Sequence, residues 1–377
     1  MKTEKRPSLA GVLAAIPDPR VTGRCEHDLV ELLVITVVAV LCGADNFEEI
    51  ACWAEERQDW LKRYLRLENG VASHDTFGRV LGLIDAQAFE ASFRTWVGEW
   101  LPALRSQEVV AIDGKVLRAS RARGERALKL VSAWAAESGM VLGQVRATAD
   151  AEEGSVIPEL LESLALKGAI VTVDAAGTYP PVAQAARGRG ADYVLSVKAN
   201  QPKLLESMEF FFEESLRQQF RGVAHDALET VEKDHGRIET RRYWAFEQCA
   251  CLADPGQWPD LKSFAVVEAI RLVGATESYQ RRYYIGSIPG RARLYAHAIR
   301  SHWSIENRLH WSLDVSFDED RARAHLRNAG HNLALVRRMA LMLLRQDTSR
   351  KASLKTKRLL ASTSDAFRSN LLGLQPV

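Results

Sequence analysis

The sequence predicts an α/β protein in which an all-α N-terminal domain precedes a core built on a β-sheet. Residues 1–105 carry apolar side chains at helical spacing. From Val109 onward, short runs rich in β-branched residues alternate with helix-like segments, which is the pattern of an α/β core. Between about residues 219 and 290, longer alternating stretches predict an antiparallel β insertion.

Four helices are expected in the N-terminal domain, over Leu29–Cys42, Asn46–Tyr64, His74–Ile84 and Phe89–Leu101. Ser73 can cap the third helix, because its hydroxyl can accept a hydrogen bond from a free N–H group of the first turn. The longest apolar run, Leu32–Cys42, covers 11 residues. A run of this length is too short to cross a bilayer and indicates a buried helix.

The core is expected to contain strands and helices in the order β-β-β-α-β-α-β. The expected strands are Val109–Ile112, Leu128–Ala135, Val141–Ala147, Ile170–Val173 and Tyr193–Val197, and the helices are Ile157–Leu166 and Val182–Arg187. This order is that of the RNase H-like fold, which has one acidic residue on its first strand and a second at the end of its fourth strand. The sequence therefore predicts an RNase H-like catalytic core.

Acidic residues stand at both of those positions. Asp113 closes the first strand and Asp174 closes the fourth. A carboxylate directly after a buried strand is poorly explained by packing, since burying its charge is costly unless a metal or a partner compensates. Glu306 lies in a helix-like segment that returns after the insertion. Three converging carboxylates predict a divalent-metal site for phosphoryl chemistry.

Each acidic residue has an alternative interpretation. Asp113 precedes a glycine, and that pair is common in turns. Asp174 could cap a following helix, but Gly177 and two prolines put that helix too far away. Rivals to Glu306 as the third ligand are Asp314, Asp318, Glu319 and Asp320. The helical context favours Glu306, and Asp318 and Asp320 are expected to cap or to pair with neighbouring arginines.

Two histidines flank Glu306 at helical spacing. His302 and His310 lie four residues before and after it, which suggests zinc. The metalloprotease pattern His-Glu-x-x-His is absent, so zinc is not favoured. We expect either histidine to orient Glu306 or to contact a phosphate.

The remaining segments complete the core. They are expected as a helix over Lys203–Gln218, strands within Thr230–Phe246 (turning at His235–Gly236), Phe264–Leu272 and Tyr279–Ile288, a helix over Arg291–His310, a strand over Leu313–Phe317 and a helix over Asn328–Arg345. The expected domains are thus 1–105, 106–347 and a basic, mobile tail over 348–377.

Charge is distributed unevenly along the chain. Residues 291–377 contain 16 Lys and Arg against 7 Asp and Glu, whereas residues 1–105 contain 12 against 16. A basic C-terminal quarter is typical of a polyanion-binding protein, and it is equally typical of a solvated helical surface. The five cysteines show neither a zinc spacing nor a disulfide framework, and the first residues lead into no signal-peptide core. We therefore expect a cytoplasmic protein with reduced thiols.

Several motifs together resemble a known family. They lie in the ranges 73–77, 111–115, 173–178, 190–201, 235–239 and 300–323, and the similarity runs from Ile16 to the last helix. In this order they resemble the DDE transposases of bacterial insertion sequences, in the ISAs-type branch that includes the H-repeat-associated proteins of Rhs elements. One departure stands out. A Tyr, Arg and Lys that often surround the third acid in related transposases are replaced by Ile299, His302 and Leu313.

The resemblance implies metal-dependent cleavage at insertion-sequence ends and strand transfer into target DNA. It implies that Asp113, Asp174 and Glu306 are catalytic and hold Mg²⁺, with Mn²⁺ as a possible substitute. The expected partners are the terminal inverted repeats, target DNA and further copies of the chain, without a membrane. Basic residues near the acids are candidate DNA contacts, namely Lys115, Arg118, Lys198, His302, Arg300 and Arg308. A related nuclease without strand transfer and a non-catalytic DNA-binding relative remain as alternatives.

Overall fold

The computed structural model describes residues 8–21, 23–101, 103–120, 127–147, 153–234 and 236–373. Its N-terminal part is helical, with α1 at Leu9–Leu13, α2 at Leu29–Leu41, α3 at Phe47–Glu56, α4 at Gln58–Leu61, α5 at His74–Leu83 and α6 at Ala86–Trp100. The side chains of Asp28, Asn46, Ser73 and Asp85 accept hydrogen bonds from first-turn N–H groups. These caps explain where four of the helices begin.

The second part is organised around one sheet. Its strands are β1 at Val109–Leu117, β2 at Leu128–Ala135, β3 at Met140–Ala147, β4 at Ile170–Val173, β5 at Asp192–Val197, β6 at Asp226–Asp234, β7 at Arg237–Phe246, β8 at Ser263–Val273 and β9 at Thr276–Gly286. The strand order is β3-β2-β1-β4-β5-β9-β8-β7-β6. β4 is parallel to β1 and to β5, and the other neighbours are antiparallel. The predicted mixed α/β architecture is confirmed.

The four strands after the fifth continue the central sheet. β9 pairs antiparallel with β5, through Val194 opposite Gly286 to Val197 opposite Tyr283. β6 to β9 then follow one another as an antiparallel meander. Gly236 adopts a φ of +73° between β6 and β7, a backbone conformation that glycine tolerates best. His235, the other residue of the predicted turn, lies outside the described residues.

Helices complete the core. They are α7 at Glu153–Glu162, α8 at Pro180–Gly188, α9 at Pro202–Arg217, α10 at Ala292–His302, α11 at Trp311–Phe317, α12 at Ala329–Gln346, α13 at Leu354–Thr363 and α14 at Asp365–Leu372. α10 packs against β1, β4 and β5, whereas α12 packs against α2, α5 and α6 as well as β3. α12 therefore joins the N-terminal helices to the sheet. None of the helices in the described ranges has both the length and the apolar character needed to span a membrane.

The predicted strand over Leu313–Phe317 is wrong, because this segment forms α11. Its alternation of apolar and polar residues suggested a strand, since that is the period of two. Leu313 and Phe317 are also four residues apart, however, and both are completely buried. The tertiary packing of these two side chains on one helical face decides for the helix.

The prediction of a mobile tail after residue 347 is also wrong, because the chain forms α13 and α14 there. Lys357 lies in the interior and donates to the backbone oxygen of Leu344 at 3.1 Å. The Arg368 guanidinium lies 4.2 Å from the centre of the Trp60 ring and is fully buried. Composition suggested mobility because these residues are basic, but their charges and stems take part in packing.

Candidate active site

Two acidic residues lie side by side at one edge of the sheet. Ile112 of β1 is the register partner of Val173 of β4, and the strands are parallel. The next residue along each strand direction is Asp113 and Asp174, respectively. β4 ends at Val173, whereas β1 continues past Asp113 to Leu117, so Asp113 lies within its strand beside the end of β4. Both carboxylates line a cavity of about 130 Å³. The lining also includes Glu306, together with Lys198, Arg282, His302 and Trp303.

Glu306 reaches this cavity from a distorted helical segment. After α10 ends at His302, Ile305–His310 forms a π-helical turn that continues into α11. Within it, the Trp311 N–H donates to the Glu306 carbonyl five residues earlier. Such single π turns frequently accompany functional sites. The predicted helix over Arg291–His310 is thus largely present, with its irregular part at the third acidic residue.

The carboxylates of Asp113 and Glu306 are close enough to affect each other. Burial and the adjoining Glu306, with a smaller contribution from Asp174, raise the pKa of Asp113 well above its ordinary value. His310 and Asp113 hold the pKa of Glu306 below its ordinary value. The two pKa values move in opposite directions, because two like charges this close cannot easily both ionise. Two carboxylates held together at such a cost are suited to binding a cation.

His310 completes a compact group of ligand atoms. Its Nδ1 lies 3.4 Å from Asp113 Oδ2 and 3.5 Å from Glu306 Oε2. One potential ligand atom from each of the three residues lies within 4.8 Å of the others. The imidazole is 4% exposed. This donor set of two carboxylates and an imidazole fits a divalent metal ion.

Asp174 belongs to the same cavity but has an additional local contact. Its carboxylate accepts a hydrogen bond of 3.0 Å from the Ala176 N–H. It thereby caps a short 3₁₀ turn over Ala175–Gly177. The next α-helix, α8, begins at Pro180 and has Tyr179 at its N-cap, so it is too far for Asp174 to cap, as expected. The short 3₁₀ turn was not expected. Capping and metal binding are compatible, because a carboxylate has two oxygens and several lone pairs.

His302 lines the same cavity as the acidic residues. Its Nδ1 lies 3.0 Å from Thr172 Oγ1. Burial lowers the pKa of His302 to about 4. The ring is therefore neutral at physiological pH and can offer a hydrogen bond to a substrate without carrying charge.

Lys115, one of the candidate DNA contacts, forms ion pairs within the protein. Its ammonium group pairs with Asp314, and it lies 3.5 Å from Glu319 and 3.8 Å from Asp320. The side chain is 8% exposed. A buried ammonium surrounded by carboxylates is engaged within the protein, which makes it unavailable to a phosphate.

The other basic candidates fall into two groups. Lys198 is exposed and lines the cavity. Arg300 pairs with Glu232 at 2.8 Å, and Arg308 donates to the Ala136 carbonyl at 2.9 Å. Arg118 is 84% exposed and lies 3.6 Å from Asp320. Lys198 and His302 are thus the two candidates that the structure brings to the cavity.

Sequence reasoning missed Arg282. It lies on β9, lines the cavity, and has its guanidinium 5.2 Å from the centre of the Trp303 ring. The strand itself was predicted, but no local signal reveals that β9 pairs with β5. Only this pairing brings Arg282 to the acidic residues.

Comparisons with known proteins identify the family of this chain. A family model described as "Transposase DDE domain" matches residues 104–343, and one described as "DDE_Tnp_1-associated" matches residues 10–97. The chain belongs to the DDE transposase family. The family resemblance inferred from the motifs is confirmed.

Two relatives cover nearly the whole of this DDE transposase chain. The Escherichia coli O157:H7 protein named "Putative transposase YncI" is 39% identical over 357 residues, which is 93% of this chain and 90% of the relative. The Escherichia coli (strain K12) protein named "H repeat-associated putative transposase YhhI" is 34% identical over 367 residues, which is 96% of each. A solved piggyBac transposase synaptic complex with hairpin DNA is 11% identical, with a TM-score of 0.43 over 100% of this chain and 82% of that one. That similarity is too distant to support a conclusion.

Proposed function

We propose that this DDE transposase cleaves DNA at the ends of an insertion sequence and joins the released ends to target DNA. Asp113, Asp174 and Glu306 are its catalytic carboxylates in this proposal. The observation that carries it is the shared cavity, to which three acidic residues from distant parts of the chain contribute. Packing explains such a group poorly, because three carboxylates that converge on one cavity repel one another.

We further propose that the core is RNase H-like. Five strands in the order β3-β2-β1-β4-β5, with β1 to β3 antiparallel and β4 and β5 parallel to β1, support this assignment. The first acid lies on β1 and the second directly after β4. Strands β6 to β9 lie between the second and third acids in sequence, as an insertion would.

The proposed cofactor is Mg²⁺, which Mn²⁺ can replace. Asp113, Asp174 and Glu306 would hold it, because their carboxylates line one cavity and Asp113 feels the charges of the other two. When bound, such cations stabilise the charge of the attacking and leaving oxygens during an in-line displacement at phosphorus.

The protein side chains position the DNA for two successive reactions. In the first, a water oxygen forms a bond to the scissile phosphorus while the bond to the 3′ oxygen breaks, which leaves a 3′-hydroxyl and a 5′-phosphate. In the second, that 3′-hydroxyl forms a bond to a target phosphorus and displaces the target's own 3′ oxygen. Lys198 and Arg282 carry the positive charge at the cavity that would hold the phosphate. The neutral ring of His302 would accept or donate one hydrogen bond.

The proposed partners are the two element ends, target DNA and a second copy of the chain, since the described part of one chain holds one such site and an element has two ends. The proposed location is the cytoplasm. Helix α5 is the candidate for recognising the ends, because it exposes His74, Asp75 and Arg79 while burying Phe77 and Val80. Replacing His74 and Arg79 with alanine should weaken binding to end DNA relative to random DNA.

A cleavage and joining assay tests the proposed reaction. The substrate is DNA that carries the flanking inverted repeats, with Mg²⁺ or with a chelator. Asp113→Asn, Asp174→Asn and Glu306→Gln should each abolish cleavage while leaving DNA binding nearly intact. Asp318→Asn is the matched control, because Asp318 lies 3.7 Å from Arg321 and caps α11 away from the cavity lining.

The outcomes separate the rival functions. Cleavage without joining would identify a nuclease, and binding without cleavage would identify a non-catalytic relative. Near wild-type cleavage by Glu306→Gln would show that the third carboxylate is misassigned.

A further inference from the structure

The two sides of Asp113 offer different chemistry to a cation. On the side of Asp174, the potential ligand atoms are carboxylate oxygens. Toward Glu306, the imidazole of His310 is also present, with Nδ1 at 3.4 Å from Asp113 and 3.5 Å from Glu306. Three potential ligand atoms therefore gather on this side, and one of them is nitrogen.

Ordinary packing explains His310 poorly. The ring is 4% exposed, and its Nε2 is buried without a hydrogen-bond partner in the described part of the chain. A histidine kept in the core for its shape alone would be expected to satisfy both nitrogens. Here one nitrogen instead faces two carboxylates. The π-helical turn begins at Ile305 and ends at His310. The backbone distortion therefore includes both Glu306 and His310.

The second histidine at this cavity has a different environment. His302 directs its Nδ1 to Thr172 Oγ1 at 3.0 Å. It is not part of the compact ligand group found among the described residues. The chain thus offers an internal comparison between two histidines on one helical segment, each four residues from Glu306.

We propose that His310 Nδ1 is a metal ligand, so that the cation between Asp113 and Glu306 is bound by two carboxylates and one imidazole. This inference rests on the metal site of the proposed function and specifies its ligands. An imidazole ligand favours Mn²⁺ over Mg²⁺, because nitrogen donors bind transition metals more strongly than they bind the harder Mg²⁺. The position between Asp113 and Asp174 has oxygen ligands and lacks this preference.

Pulsed electron paramagnetic resonance of bound Mn²⁺ tests the ligand directly. The full-length protein receives less than one equivalent of Mn²⁺ in the absence of DNA. A coordinated imidazole gives an electron spin-echo modulation from ¹⁴N. Labelling histidine alone with ¹⁵N should change that modulation. His302→Gln should keep the nitrogen signal, whereas His310→Gln should lose it, because a glutamine amide coordinates through oxygen.

Calorimetric titration supplies a second readout. His310→Gln should weaken Mn²⁺ binding by roughly tenfold or more, since even outer partners of metal ligands contribute 10- to 100-fold. Mg²⁺ binding should change less, so the ratio of Mn²⁺ to Mg²⁺ affinity should fall. His302→Gln should leave this ratio unchanged.

Several results would overturn the inference. The first is that the wild-type protein binds Mn²⁺ without a histidine ¹⁴N signal. The second is that the signal disappears in His302→Gln but not in His310→Gln. The third is that the protein does not bind Mn²⁺. If His310→Gln does not fold, the wild-type spectra with and without ¹⁵N-histidine, together with His302→Gln, still decide the question. The proposed reaction can fail separately, because a protein that binds Mn²⁺ through His310 but leaves end DNA uncut supports only the ligand assignment.

Discussion

Arg338 and Glu319 form an ion pair of 2.8 Å in which neither side chain is exposed to solvent. Arg338 lies on α12, and Glu319 follows α11 near Lys115. The pair therefore connects the helix that packs on the N-terminal domain with the strand that carries Asp113. Burial would raise the pKa of Glu319, but the charges of Arg338 and Lys115 outweigh it and lower that pKa.

Breaking this pair should destabilise the protein strongly. Arg338→Ala or Glu319→Ala leaves one buried charge without its partner, which costs about 3–5 kcal/mol. Urea unfolding followed by circular dichroism measures the change in stability. The control is Arg242→Ala, which breaks an exposed pair with Glu229 (49% and 51% exposed) and should cost less than about 1 kcal/mol. Equal effects for the buried and exposed pairs would contradict the prediction.

His302 should make the metal-free protein sensitive to acid. Its pKa is about 4 when folded and 6.5 when unfolded, so the unfolded chain binds the proton first as the pH falls. The stability from the neutral ring is therefore complete above pH 6.5 and is lost as the pH falls to 4. The loss amounts to about 3 kcal/mol. Unfolding free energies at pH 7 and pH 4.5 should differ less for His302→Gln than for the wild type. His74→Gln, which changes an exposed side chain, should behave as the wild type.

Removing the metal should lower stability in a way that depends on Asp113. A cation bound only by the folded protein stabilises it by about 2.7 kcal/mol at 100 times its dissociation constant. Mg²⁺ should raise the melting temperature of the wild type, and a chelator should reverse the rise. Asp113→Asn should lose most of the effect. Asp75→Asn, at an N-terminal side chain that is 91% exposed, should keep it. A Mg²⁺ effect that survives in Asp113→Asn would place the cation elsewhere.

The exposed basic residues before and within α13 should give salt-sensitive affinity for DNA. Arg350, Lys351 and Lys355 are exposed, whereas Lys357 and Arg368 are buried in the fold. Replacing the three exposed residues with glutamine should reduce the slope of log affinity against log salt by up to about 0.9 for each DNA phosphate that is no longer neutralised. Binding at several salt concentrations measures this slope. An unchanged slope would show that these residues do not touch the phosphates.

Truncation after Gln346 is a poor test of the same idea. It would also remove Arg368, which packs on Trp60, and Arg358, which pairs with Asp45 at 2.8 Å. We expect the truncated chain to lose stability in its N-terminal helices, visible as a lower urea midpoint. The triple glutamine variant should keep the wild-type midpoint.

Local sequence signals determined much of the scaffold. Short apolar runs identified β4, which ends just before Asp174, and the buried first part of β1, because strand burial is readable from a few neighbouring residues. The predicted end of β1 at Asp113 was wrong, since pairing with β2 extends this strand to Leu117. Ser73 was recognisable as a cap for the same reason, since capping involves groups within one turn. Spacing alone could not separate Glu306 from its rivals as the third acid, and its helical context favoured it.

Tertiary structure decided which partner each polar side chain finds. Lys115 lies two residues after Asp113, yet its ammonium group pairs with Asp314. Arg282, by contrast, reaches the cavity through the pairing of β9 with β5. His310 meets Asp113 only because a π-helical turn packs against β1. Which residues pair with one another depends on contacts between residues far apart in the chain. A local sequence pattern does not reveal the free energies of such contacts. The sequence by itself thus determined most of the elements and two of the acidic positions, and the packing of those elements decided the composition of the site.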